Sequence, residues 1–353
     1  MGVIEYSVIF ILGLAMFFMF AKIHDDKKYV FLCMFVLFLV AALRHESVGG
    51  DIVNYITSYE QYAKYSLKEI LELYITDDFK DPTYYLTGWL FSRIFHNPQW
   101  WLAFVAFAFC GTLGRLIYKE SKVPALSIIA LMALGFYSFS MTGLRQTLAI
   151  VLVVFSYEPL KERKLILFVL LVFAASLYHQ TALIFLMAYP IVNIEIGKYH
   201  LIAAAVVFII FFAFQSQLLE FMNTFLQEER YEGYTSGDAS QLTISGFIIQ
   251  AAIFVYAIFY YKTAVKDNKE ILVLYNLSFI GLMFQLYSSF IAEMFRISMY
   301  FSVFNVLLIP NVSVCEKRHS VRTGVQLLLF LALLINLFKN GASYYKFFWE
   351  SII

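Results

Sequence analysis

Residues 43–55 read LRHESVGGDIVNY and directly follow an apolar run, residues 29–43. The run is typical of a membrane helix, so Arg44 is expected where hydrocarbon gives way to water. An arginine at mid-membrane costs about 2.5 to 3.5 kcal/mol on insertion scales, and one at the rim costs less but is still held at a fixed depth. The Gly-Gly pair in this stretch allows a sharp turn that brings Asp51 and Tyr55 back towards Arg44. The stretch therefore predicts a wet, charged face at one membrane surface.

The composition is that of an integral membrane protein. Of the 353 residues, 61% are hydrophobic, 19% are aromatic and only 14% are charged. These values are far too apolar for an ordinary soluble domain. The net charge of +1 gives no electrostatic reason to expect a nucleic acid as partner. The three cysteines lack metal-ligand spacing, and the first apolar run lacks a signal-peptide pattern and is expected to be retained as a span.

Apolar runs of spanning or near-spanning length recur along the whole chain. They fall at about residues 4–21, 29–43, 100–118, 124–141, 145–157, 164–178, 181–193, 200–219, 244–261, 271–292, 297–312 and 323–338. Several are shorter than the ~20 residues of a perpendicular helix, so tilt, kinks or half-helices are expected. The sequence predicts an all-α polytopic membrane protein with about twelve transmembrane helices, formed as a single integral membrane domain over residues 1–353.

The basic residues of the loops predict the orientation. A further amphipathic segment, residues 84–95, either crosses the membrane or lies in its interface. If it does not cross and the N-terminus is outside, every basic cluster lies on the cytoplasmic side, whereas a full crossing separates the first cluster from most of the later ones. We therefore predict that both termini are outside, that residues 44–99 form a large external loop with a re-entrant or interfacial helix near 84–95, and that residues 220–243 form a second external loop. The same topology puts several charged residues at the outer ends of their helices: Arg44, Asp51, Arg145, His179, Glu293 and Arg296.

Three polar positions inside apolar sequence have alternative interpretations. Arg145 either snorkels to lipid head groups or binds an anion, since its guanidinium is a rigid fork of donors that matches phosphate oxygens. His179 is either an interhelical hydrogen-bonding group or a proton acceptor near neutral pH. Glu293 and Arg296 share a helix face and form either a self-contained ion pair or a part of an anion site, with Glu293 orienting Arg296.

Three isolated arginines at one depth, Arg44, Arg145 and Arg296, predict a site for a doubly charged phosphate group such as a lipid diphosphate. Arginines absorb the charge of a diphosphate leaving group without a divalent metal. An acceptor hydroxyl then needs a base, and either Asp51 or His179 is placed for this role.

The predicted external loop 44–99 is rich in tyrosine and carboxylate. Such a lining suits a sugar, because aromatic rings stack on pyranose faces and carboxylates accept hydroxyl protons. An aromatic belt at the membrane surface is the alternative interpretation.

Five motifs occur in a fixed order along most of the chain. They are Leu43-Arg44 with Gly49, Asp51 and Tyr55; Asp81-Pro82-x-Tyr84-Tyr85; Leu144-Arg145-Gln146-x-x-Ala149; His179-x-Thr181-Ala182; and Arg296-x-x-x-Tyr300-Phe301. This pattern, over residues 29–310, resembles the EpsG family of Wzy-type polysaccharide polymerases. Gly50 departs from it, because a small polar residue is expected before the aspartate.

The resemblance implies a GT-C-like helical bundle with a large extracytoplasmic loop, in the bacterial cytoplasmic membrane. It implies a metal-independent glycosyltransferase that uses no nucleotide sugar or other cofactor and joins undecaprenyl-diphosphate-linked oligosaccharide repeat units at the outer face of that membrane. The carrier-linked oligosaccharide is both donor and acceptor, and the product is exopolysaccharide, capsule or O-antigen. Besides membrane lipid, a chain-length regulator and a flippase are the expected partners.

The residues and the resemblance together give one set of site predictions. The catalytic candidates are Asp51 and His179, and the substrate-binding candidates are Arg44, Arg145, Gln146, Arg296, Tyr55, Glu293 and Tyr300. Three rival functions are a glycan ligase with an acceptor such as lipid A, a transporter or flippase of the lipid-linked unit, and an acyltransferase using His179. The internal repeats of many transporters are not evident in this sequence.

Overall fold

The computed structural model describes most of the chain and is helical in that part. The described residues are 25–75, 81–197, 238–288, 294–340 and 345–350, with isolated positions between 206 and 217. Outside them lie the predicted span at 4–21, most of the predicted span at 200–219 and most of the predicted external loop 220–243. Within them, strand-like pairing occurs as one isolated antiparallel bridge between Arg44 and Phe347.

The chain divides into two compact units, the first formed by Met1–Leu186 with Ile309–Ile353 and the second by Met187–Leu308. The helices up to the boundary are α1 Asp26–Ala42, α2 Ile52–Tyr62, α3 Leu67–Ile75, α4 Pro82–Ser92, α5 Gln99–Glu120, α6 Pro124–Ala133, α7 Phe136–Ser140, α8 Leu144–Phe155, α9 Tyr157–Lys161, α10 Leu165–Tyr178 and a 3₁₀ helix Gln180–Met187. Those that follow are α11 Ala188–Ile191, α12 Asp238–Phe259, α13 Tyr261–Asp267, α14 Ile271–Tyr287, α15 Met294–Ser302, α16 Asn305–Ser313 and α17 His319–Asn340.

The first unit is built around α5. This helix packs against α1 and α8, α8 packs against α10, and α17 packs against α6. Local sequence explains where several of these helices begin. The Asp25 carboxylate accepts hydrogen bonds from the backbone N–H groups of Lys27 at 2.9 Å and Lys28 at 3.2 Å, which caps α1. Pro82 and Pro124 open α4 and α6, because a proline at the first helical position lacks only an N–H that the helix does not use.

In the second unit, α14 packs against α12 and α15. Side-chain amide and hydroxyl groups of the second unit form hydrogen bonds between these helices. Gln250 Nε2 donates to Gln285 Oε1 at 3.2 Å, and the Ser298 hydroxyl donates to the Gly281 carbonyl at 2.7 Å. Such interhelical hydrogen bonds stabilise helix association in an apolar environment.

The chain is an integral membrane protein. In the part that the structure describes, two helices are long and apolar enough to cross a membrane, Gln99–Glu120 and His319–Phe338. Two bent pairs raise this number to four if each pair is one span: Ser245–Phe259 with Tyr261–Asp267, bent by 63°, and Met294–Ser302 with Asn305–Ser313, bent by 43°. Tilt, kinks or half-helices were predicted for the short apolar runs. The break after Ser302 is a kink within the run 297–312, whereas the break after Phe259 lies at the end of the run 244–261. The total of about twelve spans stays a prediction.

Three helices, α2, α3 and α4, lie within the predicted external loop 44–99, and residues 76–80 of it are outside the described part. The helix α4 overlaps the amphipathic segment predicted at 84–95. It packs against α2 and α10, and its Tyr84 and Trp89 are buried. One face of α4 is therefore occupied by protein, whereas its depth in the membrane stays a prediction.

Gly49 forms the turn that joins Arg44 to α2, and we expect that no other residue is tolerated there. Its φ is +110°, and a Cβ atom would lie 2.4 Å from the Met141 carbonyl oxygen. Gly49→Ala should therefore lower the free energy of unfolding by about 2 kcal/mol or more, measured as a lower unfolding temperature in detergent. Gly50→Ala is the matched control, because the nearest atom to its Cβ is Thr142 Cγ2 at 3.9 Å. Equal effects of the two substitutions would contradict this account of the turn.

Candidate active site

A buried carboxylate, Asp81, lies at the start of α4. Its backbone is left-handed, with φ 61° and ψ 58°, a conformation that few residues other than glycine adopt. Its side chain is 1% exposed. Strained backbone and a buried charge each cost free energy, so both persist only where surrounding contacts hold them, and such positions are frequent at functional sites.

Three groups from two segments of the chain contact this carboxylate. Arg145 Nη1 donates to Asp81 Oδ2 at 3.1 Å, and His179 Nδ1 lies 3.0 Å from the same oxygen. The backbone N–H of Gln180 donates to Asp81 Oδ1 at 3.1 Å. Asp81 therefore joins the first turn of α8 to the end of α10, and it brings two of the predicted site residues together.

The local sequence explains why these donors converge. Gly143 precedes α8, which places Arg145 in the first turn of that helix. His179 ends α10 with an extended backbone, φ −158° and ψ 108°, and a 3₁₀ helix begins at the next residue. This change of direction presents the imidazole of His179 and the free N–H of Gln180 to one carboxylate.

The charges around Asp81 keep it ionised. Burial raises its pKa, but the hydrogen bond and charge of His179 and the positive charge of Arg145 outweigh this effect, so the pKa of Asp81 lies below its usual value. An ionised carboxylate only accepts hydrogen bonds, so His179 Nδ1 carries the proton in this contact. When the imidazole is neutral and donates from Nδ1, its other ring nitrogen, Nε2, carries no proton and can accept one.

Tyrosines surround the arginine on the other side. The side chains of Tyr55 and Tyr85 lie beside the Arg145 guanidinium, and the Arg145 side chain as a whole is 22% exposed. Tyr84 connects these rings, with centroids 5.4 Å from Tyr55 and 5.5 Å from Tyr85. The Trp101 indole N–H donates to the Tyr84 hydroxyl at 2.9 Å and fixes this ring. The Arg145 side chain thus lies between the Asp81 carboxylate and the rings of Tyr55 and Tyr85, and it stays partly exposed.

Arg44 has a different environment from Arg145. It is 1% exposed, and it donates to the carbonyls of Ala41 and, at 3.5 Å, Met141. Residues 345–350 cover it, since the His45 N–H donates to the Lys346 carbonyl at 2.8 Å. Burial lowers the pKa of Arg44 to about 10, which is still above neutral pH, so the guanidinium stays charged. In this structure Arg44 fixes the end of α1 to the turn before α8.

Replacement of Arg44 is therefore expected to affect stability directly. Arg44→Gln should lower the free energy of unfolding by about 2 kcal/mol, because two main-chain carbonyls lose a charged donor inside the protein. Thermal unfolding in detergent measures the effect. An unchanged unfolding temperature together with lost activity would instead assign Arg44 to substrate binding alone.

The other predicted residues lie in several places. Asp51 is the half-buried residue before α2, and its side chain does not cap that helix. Gln146 is buried next to Arg145 in the first turn of α8. In the second unit, Arg296 lies in the first turn of α15 with its Cζ 5.8 Å from the Phe295 ring centroid, and Tyr300 is fully buried one turn later. Glu293 is outside the described residues, so its pairing with Arg296 stays a prediction.

A comparison with known families identifies the family of this chain. The model of the EpsG family matches residues 27–349, which is nearly the whole chain. The chain belongs to the EpsG family. This is a family of Wzy-like polysaccharide polymerases, so the resemblance of the five motifs is confirmed. Neither a search of curated proteins nor a search of solved structures finds a match.

Asp81 was not among the predicted site residues, although it belongs to one of the motifs that resemble the EpsG family. The available signal was the sequence Asp81-Pro82-x-Tyr84-Tyr85, in which a carboxylate directly precedes a helix-opening proline and two tyrosines. In the structure these same tyrosines contact one another beside Arg145. The motif therefore contributes both the Asp81 carboxylate and two of the tyrosine rings near Arg145.

Proposed function

We propose that this chain is a polysaccharide polymerase that joins undecaprenyl-diphosphate-linked oligosaccharide repeat units at the outer face of the cytoplasmic membrane. The observation that supports this most strongly is the buried Asp81 carboxylate, which holds Arg145 and His179 together. An anion-binding group and a proton acceptor at one place are what a transfer from a diphosphate leaving group to a hydroxyl requires.

In the proposed reaction, Arg145 binds the diphosphate of the donor. The Arg145 side chain is partly exposed and held in place by Asp81, and its planar fork of N–H donors matches the geometry of phosphate oxygens. As the bond between the anomeric carbon and the diphosphate oxygen breaks, negative charge develops on that oxygen and the arginine stabilises it. In this proposal the positive charge of Arg145, rather than a metal ion, neutralises the leaving group.

His179 acts as the general base in this proposal. Its Nε2 removes the proton from the acceptor hydroxyl while that oxygen forms the new bond to the anomeric carbon. Asp81 accepts the Nδ1–H, which fixes the tautomer and stabilises the imidazolium that forms. Asp51 is the alternative base, but His179 is favoured because it already has an orienting carboxylate.

The tyrosines around Arg145 provide the sugar-binding surface in this proposal. Tyr55, Tyr62 and Tyr85 are half-buried, so part of each ring stays accessible, and Tyr62 contacts Tyr85 with a centroid distance of 5.1 Å. Rings fixed in this way lose little conformational entropy when they stack on a sugar. The repeat unit attached to the diphosphate would then lie along the α2–α4 region.

Deletion of the gene tests the function against its rivals. We expect surface polymer to be lost, while single carrier-linked repeat units accumulate on the outer leaflet. Polymer of normal length that fails to attach to its acceptor would indicate a ligase instead. Repeat units retained on the inner leaflet would indicate a transporter or flippase.

A further inference from the structure

A second polar site lies at the other end of α8. The site is a shallow cleft formed by the last turns of α5 and the junction of α8 with α9. Its lining includes Arg115, Lys119, Phe155 and Glu158. Phe155 lies ten residues after Arg145 on one helix, so the two sites are about 15 Å apart. The cleft is therefore separate from the candidate active site.

The cleft is lined by two cations and two carboxylates, and Lys161 next to it pairs with one of those carboxylates, Glu120, so the whole cluster has three cations and two carboxylates. Arg115 Nη2 and Lys119 Nζ both contact the same oxygen of Glu158, at 3.3 Å and 3.4 Å. The second carboxylate, Glu120, pairs with Lys161 at 2.9 Å. One carboxylate thus serves two cations, both about half exposed, and these keep donors that Glu158 does not use. The cluster of Arg115, Lys119, Lys161, Glu120 and Glu158 therefore carries a net charge of +1.

The surface next to these cations is apolar. Phe107, Gly111 and Arg115 lie on one face of α5, at intervals of four residues. Phe107 is 65% exposed, and a Cβ atom on Gly111 would meet no heavy atom within 4 Å. The surface at Gly111 is therefore an open notch, which lies next to the exposed Phe107 ring and one helical turn before Arg115. The Arg115 guanidinium also lies 5.7 Å from the Phe155 ring centroid, which joins the apolar and cationic surfaces.

We propose that this cleft binds one anionic phospholipid. The phosphate lies between Arg115 and Lys119, and an acyl chain lies in the notch over Gly111. A lipid fits better than a soluble anion because α5 is long and apolar enough to span a membrane, so its basic end is expected at the level of the head groups. The site goes beyond the proposed polymerase function, and it tethers the end of α5 to the lipid surface.

Native mass spectrometry of the purified protein with phosphatidylglycerol or phosphatidylcholine tests this site. We expect the unmodified protein to retain phosphatidylglycerol preferentially. The double variant Arg115→Gln/Lys119→Gln should weaken its retention by about fivefold for each charge removed. The matched control is Lys266→Gln/Lys269→Gln, which removes two exposed lysines of the second unit. Equal retention of the two lipids, or equal loss in both double variants, would overturn the proposal.

Gly111→Leu provides a test that leaves the charges in place. Leucine fills the notch and is a better helix former than glycine, so folding should be preserved while lipid retention falls. Unchanged retention in this variant would overturn the acyl-chain placement. A competition experiment with inorganic phosphate distinguishes a lipid site from a soluble-anion site. Full displacement of the lipid by millimolar phosphate would show a soluble-anion site instead.

Discussion

Arg145→Ala is expected to lower the rate of polymerisation by about 10²- to 10³-fold. In the proposed reaction the guanidinium stabilises charge on the leaving diphosphate, and the loss of one such donor typically costs this much. The variant also removes the hydrogen bond and the positive charge that Arg145 supplies to the buried Asp81 carboxylate. Arg145→Lys should restore only a part of the activity, because an ammonium cannot reproduce the fork of donors. Polymer synthesis by purified protein measures both effects.

Arg93→Ala is the matched control for the loss of a positive charge. Arg93 is exposed, lies just after α4, and donates to the Tyr65 carbonyl instead of a carboxylate. Its removal should leave the rate within about twofold of the parent, since exposed single contacts contribute little free energy. Equal rates for Arg145→Ala and Arg93→Ala, with both proteins folded, would exclude the proposed role of Arg145.

The second large effect is expected at His179. His179→Gln keeps a side chain of similar size but removes the base, and general-base catalysis usually contributes 10²- to 10⁴-fold, so a loss of roughly that size is expected. Asp81→Asn should cost less, because the histidine remains but loses its orienting carboxylate. In this proposal Asp81 acts through His179. The double variant Asp81→Asn/His179→Gln should therefore be no slower than His179→Gln alone.

The control and the alternative base are measured in the same assay. His45→Gln is the matched control, because His45 is located before the Gly-Gly turn and its Nδ1 lies 3.0 Å from the Ser47 hydroxyl. It should leave activity unchanged. Asp51→Asn compares the two candidate bases, and an effect of Asp51→Asn larger than that of His179→Gln would assign the base to Asp51. Effects of Asp81→Asn and His179→Gln that multiply would show that the two residues act independently.

Much of the helical structure follows from apolar periodicity alone. The runs at 29–43 and 100–118 correspond to α1 and α5, because a long apolar segment has few stable alternatives to a helix in a membrane. The positions of the helix bends are harder to predict from the sequence. Within 297–312 the helices break after Ser302, although the proline of this segment, Pro310, lies eight residues later inside α16. The position of the break depends on packing as well as on local propensity.

The candidate site was predictable only in part. Arg145 and His179 stand out because each interrupts apolar sequence, where a polar group is costly. Their connection through Asp81 spans 64 and 98 residues of chain. One sequence does not indicate which loops meet in space, so Asp51, next to a conspicuous Gly-Gly turn, attracted the prediction instead. The environment of Arg44 likewise depends on residues 345–350, some 300 positions away.

The most direct test of the central claim is polymerisation by the purified protein. The assay contains the protein, a synthetic undecaprenyl-diphosphate-linked repeat unit and EDTA, without a nucleotide sugar, and the products are sized by gel or mass spectrometry. We expect a ladder of repeat-unit multiples that is formed by the parent and by Arg93→Ala but not by Arg145→Ala. A matched repeat unit that stays a single unextended species in the presence of folded parent protein would contradict the account.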